Sequence, residues 1–244
     1  MEKRHTVWKS LGETPLEALE RLRAEEGIAA DVPMTYAGRL DPAAEGVLII
    51  LAGDECKNKD EYSGLDKTYL AEIVLGVSTD SFDLLGVPVL GGASAEPKAI
   101  GAAITAFFES QLGTRTQKYP PYSSKTVDGT QLHTHTRLGN SVDLPEHEVT
   151  LRAYDDLTLE DVSREDLLTR VGEVVSAVTG DFRLAEIAHG WSSLDLPEKL
   201  PLVSVTLKTG SGFYVRQLAE DLGRALGTGA CLYSLVRTEI GESA

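Results

Sequence analysis

One carboxylate on a short loop is the first candidate for chemistry. The segment Tyr36-Ala37-Gly38-Arg39-Leu40-Asp41-Pro42-Ala43-Ala44-Glu45-Gly46-Val47-Leu48-Ile49-Ile50 runs from a glycine turn, through Asp41, into an apolar stretch. Gly38 and Gly46 allow sharp backbone paths, and Pro42 biases Asp41 toward an extended conformation. A carboxylate on a constrained loop beside a rigid element is mounted as catalysis requires. The same residue, taken alone, is also an ordinary turn former. A second candidate is Lys118-Tyr119-Pro120-Pro121-Tyr122-Ser123-Ser124-Lys125, where aromatics lie between bases. It reads as an extended, exposed loop whose rings can hold an unstacked nucleobase, or as a rigid surface linker. A third is Gly210-Ser211-Gly212 before Phe213-Tyr214-Val215-Arg216. Strand, glycine turn and helix can host a phosphate at the helix start, but the third glycine of a dinucleotide fingerprint is missing. Arg216 falls in the first turn of that helix, where the dipole disfavours a cation. A carboxylate partner would offset this, and Asp41 is the candidate. His133 and His135 have no further ligand at metal spacing, so no metal site is expected.

These side chains need elements to hold them. Residues 47–52 read as a buried strand, short, apolar and bounded by Gly46 and Gly53. Thr14, Pro15 and Glu17 form a helix start with a capping box, and Leu16, Leu19 and Leu22 repeat on what reads as its core face, with Gly27 as the stop. In Asp66-Lys67-Thr68-Tyr69-Leu70-Ala71-Glu72-Ile73-Val74-Leu75-Gly76, the alternation of Tyr69, Ala71, Ile73 and Leu75 predicts a strand with one face inward, Tyr69 at its start. Residues 79–86 are turn-rich. Pro97 opens a helix with Ile100, Ile104, Phe107 and Phe108 on one side. A further helix is predicted over residues 165–179 with Ser163 as its cap, and a strand over 203–208.

Composition bounds the class. The 244 residues include 42% hydrophobic residues, enough to bury one sizeable core. No apolar run approaches the length that spans a bilayer, and the polar start Met1-Glu2-Lys3-Arg4-His5 has no signal-peptide character. A cytoplasmic protein is expected. Cys56 and Cys231 fit neither a disulfide framework nor a metal spacing, which predicts buried free thiols. The net charge of -15 argues against a polyanionic partner until its distribution is examined. Residues 140–200 hold 14 acids and 5 bases, whereas residues 111–137 set Arg115, Lys118, Lys125 and Arg137 against Asp128 alone. A basic loop on an acidic body binds nucleic acid locally, with little long-range steering. The acidic region reads as a solvated lobe or insertion without chemistry.

Four segments together resemble the TruB-type tRNA pseudouridine synthases, in order and across residues 7–237. They are Gly38-Arg39-Leu40-Asp41-Pro42 with Gly46-Val47-Leu48; Asp66-Lys67-Thr68-Tyr69 with Leu75-Gly76 and Thr79-Asp80-Ser81-Phe82-Asp83; Pro121-Tyr122-Ser123-Ser124-Lys125 with Gly129, Leu132 and Arg137; and Gly212-Phe213-Tyr214-Val215-Arg216 with Asp221-Leu222-Gly223. The resemblance implies an α+β pseudouridine synthase catalytic fold over residues 1–244: a mixed, largely antiparallel sheet flanked by helices, with a basic thumb-like loop at 111–139. It implies Asp41 as the nucleophile on the target ribose, Arg216 as its partner and Tyr69 stacked on a flipped base. Leu235 would line the pocket, and Tyr36, Lys57, Tyr122, Lys125 and Arg137 would contact RNA. It implies isomerisation of the T-loop uridine of tRNA by a monomer, with no cofactor, metal, protein partner or membrane. Tyr36 stands where the family carries a histidine, and His133 where it carries a tyrosine. The chain ends soon after Arg237, so the C-terminal RNA-binding (PUA) domain common in the family is expected to be absent. The competing expectations are a synthase for another RNA, a non-catalytic tRNA-folding factor of the same fold, and a nucleotide-binding module built on Gly210-Ser211-Gly212.

Overall fold

The computed structural model describes residues 3–92, 97–180 and 182–241. The chain begins with β1 (Lys3–Lys9), α1 (Pro15–Glu25), β2 (Met34–Ala37) and β3 (Glu45–Ala52). A 3-10 turn (Gly53–Asn58) and α2 (Lys59–Gly64) lead to β4 (Asp66–Leu75), β5 (Val77–Thr79), β6 (Pro88–Leu90) and α3 (Pro97–Gln111). The basic stretch supplies β7 (Gly113–Lys118), β8 (Thr126–Val127), β9 (Thr130–Gln131) and α4 (Leu132–Arg137). Then come β10 (Glu146–Ser163), α5 (Arg164–Ala177), α6 (Leu184–Ser193), β11 (Lys199–Thr209), α7 (Val215–Leu226) and β12 (Ala230–Gly241).

One sheet organises these elements, in the order β1-β3-β12-β4-β11-β10-β7, with β2 added beside β3. Its pairings are antiparallel except the short contact of β12 with β3, which is parallel. The fold is therefore the α+β arrangement with a mixed, largely antiparallel sheet that the sequence predicts. Side chains alternate across the sheet. On β4, Tyr69, Ala71, Ile73 and Leu75 pack with Ile104 and Phe108 of α3 and with Leu218 and Leu222 of α7. Val74 points the other way, onto Val171 of α5 and Trp191 of α6. β3 is buried on both faces, which is why it reads as a continuous apolar run. Leu48 and Ile50 meet Leu19 and Leu22 of α1, while Ile49 and Leu51 meet Tyr62 and Leu65. Each such side chain contributes about 2 kcal/mol through burial.

Three sequence expectations need correction. The capping box of α1 forms, with the Glu17 N–H donating to Thr14 Oγ1 at 3.2 Å and the Thr14 N–H to Glu17 Oε2 at 2.6 Å. Leu16, however, is 57% exposed and lies off the core face. A three-residue step falls about 60° short of a helical turn, so Leu16 and Leu22 point about 120° apart. Second, the Lys118-to-Lys125 stretch is not an exposed loop: Pro120 and Ser123 are buried and the residues between them half-buried. The Leu132 N–H donates to Lys125 O, the His133 N–H to Ser123 O and Thr136 Oγ1 to Pro121 O, so α4 folds back and fastens it. Third, the acidic region is not a lobe set apart. β10 lies inside the sheet between β11 and β7, and α5 and α6 cover its second core.

Candidate active site

The path of the Asp41 loop is fixed at both ends. At Gly46, φ is +121°, and a Cβ there would sit 2.2 Å from the carbonyl oxygen of Arg237, so only glycine lets β3 enter beside β12. Arg237 itself is 1% exposed. Its Nε donates to Val47 O at 2.7 Å, Nη1 to Arg39 O at 3.1 Å and Nη2 to Gly38 O at 3.3 Å. One buried guanidinium thus holds three carbonyls on either side of Asp41. A short bond from the Gly12 N–H to Pro42 O, at 2.9 Å, pins the far side.

Arg216 meets this loop from the start of α7. Tyr214, the cap residue, makes no side-chain cap bond. Gln117 of β7 substitutes: its Oε1 accepts from the Tyr214 N–H at 2.9 Å and its Nε2 donates to Tyr214 O at 3.0 Å. Arg216 is buried, and its Nε donates to Asp41 Oδ2 at 2.7 Å, Nη1 to Ser81 O at 2.8 Å and Nη2 to Tyr122 O at 3.3 Å. Asp83 Oδ2 lies 3.6 Å from the same Nε. Burial works against the Arg216 charge, but Asp41 and Asp83 outweigh it and hold the group above its ordinary pKa. They also offset the helix dipole, which disfavours a cation here. Asp83 is buried, which pushes its carboxyl up from the ordinary range against the pull of Arg216. It accepts from Ser81 Oγ at 2.6 Å and the Leu85 N–H at 3.0 Å. Asp83 is a member of this site that the sequence reading left as part of a turn. The side chain of Asp41 is 40% exposed against 5% for Arg216, so the carboxylate opens outward while its partner stays fixed.

It opens into a cavity of about 780 Å³. Asp41, Tyr69 and Arg216 share its wall with Tyr36, Tyr122, Arg137 and Leu235. Lys57 and Lys125 are not among the described lining residues. Lys57 Nζ lies 2.5 Å from Asp54 Oδ1, and Lys125 Nζ lies 5.1 Å from the centre of the Tyr119 ring. Gly210 and Gly212 face the same cavity, so the glycine turn belongs to this site and not to a separate one. Among the described residues no cluster of three histidine, cysteine or carboxylate groups could hold a metal ion. His133 Nδ1 and His135 Nε2 instead approach the carbonyls of Ser123 and Val127 at 3.2 Å each.

Lys67 also lines the cavity and is buried. Its Nζ donates to Ser63 O at 2.6 Å and Leu65 O at 2.5 Å, two bonds that a neutral amine can also make. Burial lowers its pKa to about 8, with Arg237 adding to the effect. Between pH 8 and the unfolded value near 10.5, the unfolded chain binds more protons, so raising pH through this window favours the folded state. The stability of wild type relative to Lys67→Met, measured by urea unfolding, is expected to rise from pH 8 to pH 10. A constant difference would place the Lys67 pKa at its ordinary value.

Comparison with known proteins points to one family. A family model described as TruB family pseudouridylate synthase, N-terminal domain, matches residues 31–173. The tRNA pseudouridine synthase B of Deinococcus deserti is 32% identical over 97% of this chain and 73% of its own length. That of Ralstonia nicotianae is 31% identical over 85% of this chain. The chain spans only 54% of that relative's length. Among solved structures, an H/ACA RNP bound to a substrate RNA containing 2′-deoxyuridine aligns with 98% of this chain and 47% of its own, at 14% identity and a TM-score of 0.55. That likeness speaks for the fold. The family model covers Asp41, Tyr69 and Asp83 but stops before Arg216, which the fold brings to Asp41 from 175 residues away. On the family match and the relatives together, the chain belongs to the TruB family of pseudouridylate synthases.

Proposed function

We propose that the chain isomerises the T-loop uridine of tRNA, position 55, to pseudouridine. The reading is supported by the synthases it resembles and carried by one observation: the Asp41–Arg216 pair at 2.7 Å, facing a cavity that Tyr69 also lines. Asp41 acts on the target ribose, either as a nucleophile at C1′ or as the base that takes the C2′ proton while the uracil leaves to give a glycal. The C1′–N1 bond breaks, the uracil leaves with the electron pair and turns, and C5 bonds to C1′. Formation of the C1′–C5 bond displaces the carboxylate from C1′, or along the glycal route goes with return of its proton to C2′; C5 then loses its proton and N1 gains one, which restores the ring with no net change in atoms. Reactant and product are isomers, so the step needs an ionised carboxylate and neither oxidant nor cofactor.

The remaining residues take parts that suit their positions. Arg216 keeps Asp41 charged and aimed. Tyr69 stacks on the flipped base, which must leave the T-loop stack for its sugar to be reached. Leu235, Tyr36 and Tyr122 shape the cavity, and Arg137 meets the RNA backbone. A volume of about 780 Å³ accommodates a nucleotide with its neighbours. Lys57 and Lys125 contact RNA away from the reacting base. The basic stretch 111–139 serves as the RNA-contacting part of a single catalytic domain over 1–244. The enzyme works as a monomer in the cytoplasm without a protein partner. Cys56 and Cys231, both free thiols, suit a reducing compartment.

The test is incubation of the purified protein with an unmodified tRNA transcript, with the product mapped by nucleotide. Pseudouridine at the single T-loop position is expected. Product at another uridine would replace the substrate assignment, and tight tRNA binding without any product would replace the enzyme by a folding factor.

A further inference from the structure

The acidic region touches the cavity through Phe182 and Arg183, in the turn between α5 and α6 and beyond the residues the family model matches. Arg183 caps α6 in a left-handed conformation, φ 56° and ψ 31°, which a bulky residue holds only where its contacts fix it. Those contacts are specific. Arg183 Nη2 lies 2.9 Å from Asp80 Oδ2, and the guanidinium carbon lies 4.8 Å from the centre of the Tyr122 ring. Tyr122 OH donates to the same Asp80 oxygen at 3.1 Å, and the Val87 N–H donates to the other at 2.9 Å. Burial and Asp80 push the Tyr122 phenol up to about 12, so it remains a donor. Tyr122 is therefore gripped on its ring face and at its hydroxyl, while its carbonyl accepts from Arg216 Nη2. A line of contacts runs from Arg183 through Tyr122 to Arg216 and Asp41.

We propose that Arg183 is a positioning residue for the reaction, holding Tyr122 so that its carbonyl completes the acceptor set that aims Arg216 at Asp41. The proposal rests on the pseudouridine synthase reading. It gives the α5–α6 turn a part in the reaction that the acidity of the region around it conceals. Arg183 sits at the cavity rim with its side chain 23% exposed and is not a member of the two large apolar cores, so its loss removes a contact on Tyr122 and not a part of either core. A guanidinium on an aromatic face, locked by a carboxylate, restrains the ring in both tilt and height.

The experiment measures kcat and KM on tRNA, and the Nε–H resonance of Arg216, for wild type, R183A and R183K. R183A is expected to lower kcat by about tenfold, because small misplacements of a reacting pair are costly. KM should stay within about threefold, since the RNA contacts themselves are kept. R183K, which still reaches Asp80 and the ring, is expected to recover most of the rate. The Arg216 resonance should move or broaden in R183A. A rise in KM at unchanged kcat would make Arg183 an RNA contact and overturn the proposal, as would an unmoved resonance with unchanged kinetics. Wild type inactive on every RNA would sink the functional reading instead, and the resonance alone would then judge the contact line.

Discussion

Asp41→Asn is expected to abolish pseudouridine formation, lowering the single-turnover rate by at least about a thousandfold, or roughly 4 kcal/mol of barrier. The amide is nearly isosteric and its oxygen can still accept from Arg216, so the loop should keep its course through the Arg237 and Gly12 bonds. What disappears is the negative charge and with it the attack on C1′. The buried guanidinium is not stranded, because Asp83 remains 3.6 Å from its Nε. The protein should therefore fold, and affinity for tRNA should stay within about tenfold, since the chemistry is lost and the contacts are kept. Rate and affinity measured on the same preparation separate the two. A variant that turns over within tenfold of wild type would remove Asp41 from the reaction.

Arg216→Lys is expected to cost about a hundredfold or more in kcat with a smaller change in KM. The side chain reaches three acceptors from three different nitrogens: Asp41 Oδ2, Ser81 O and Tyr122 O. A lysine offers the same charge as a point and cannot fork among them. Two consequences follow from its shorter grasp. Asp41 loses its fixed direction, and the carbonyls of Ser81 and Tyr122 lose a buried donor, which destabilises the protein by about 1–3 kcal/mol. A kcat near wild type, with the melting temperature lowered, would reduce Arg216 to a structural strut.

What could be read in the sequence was what repeats. β3 shows itself by an apolar run and α3 by Ile100, Ile104 and Phe108 at helical spacing, because burial on two faces or one leaves a period. The Asp41 loop was legible for a related reason: glycine and proline constrain backbone locally. Pairings across the chain leave no such period. Asp41 and Arg216 could be nominated for each other only through dipole reasoning and resemblance, since 175 residues separate them. Asp83 was passed over because a carboxylate among Thr, Ser and Gly reads as a turn former. Arg237 was noted only as the end of the resemblance, because a single arginine in a late strand looks like solvent-facing decoration. Its burial follows from the carbonyls it collects, and those come from the other end of the molecule. Leu16 and the Lys118-to-Lys125 stretch misled in opposite directions, one apolar yet exposed, the other polar yet packed.

The short parallel contact between β12 and β3 carries a lesson about assembly. The bond from Arg237 to Val47 spans 190 residues, and β12 slots into the middle of the sheet between β3 and β4. The Asp41 loop is thus a keystone joint, held by a strand from the far end of the chain. Loops closed over such distances form slowly. On the proposed reading, a chain whose last strand has not yet joined the sheet lacks the Arg237 bonds that hold the Asp41 loop in place.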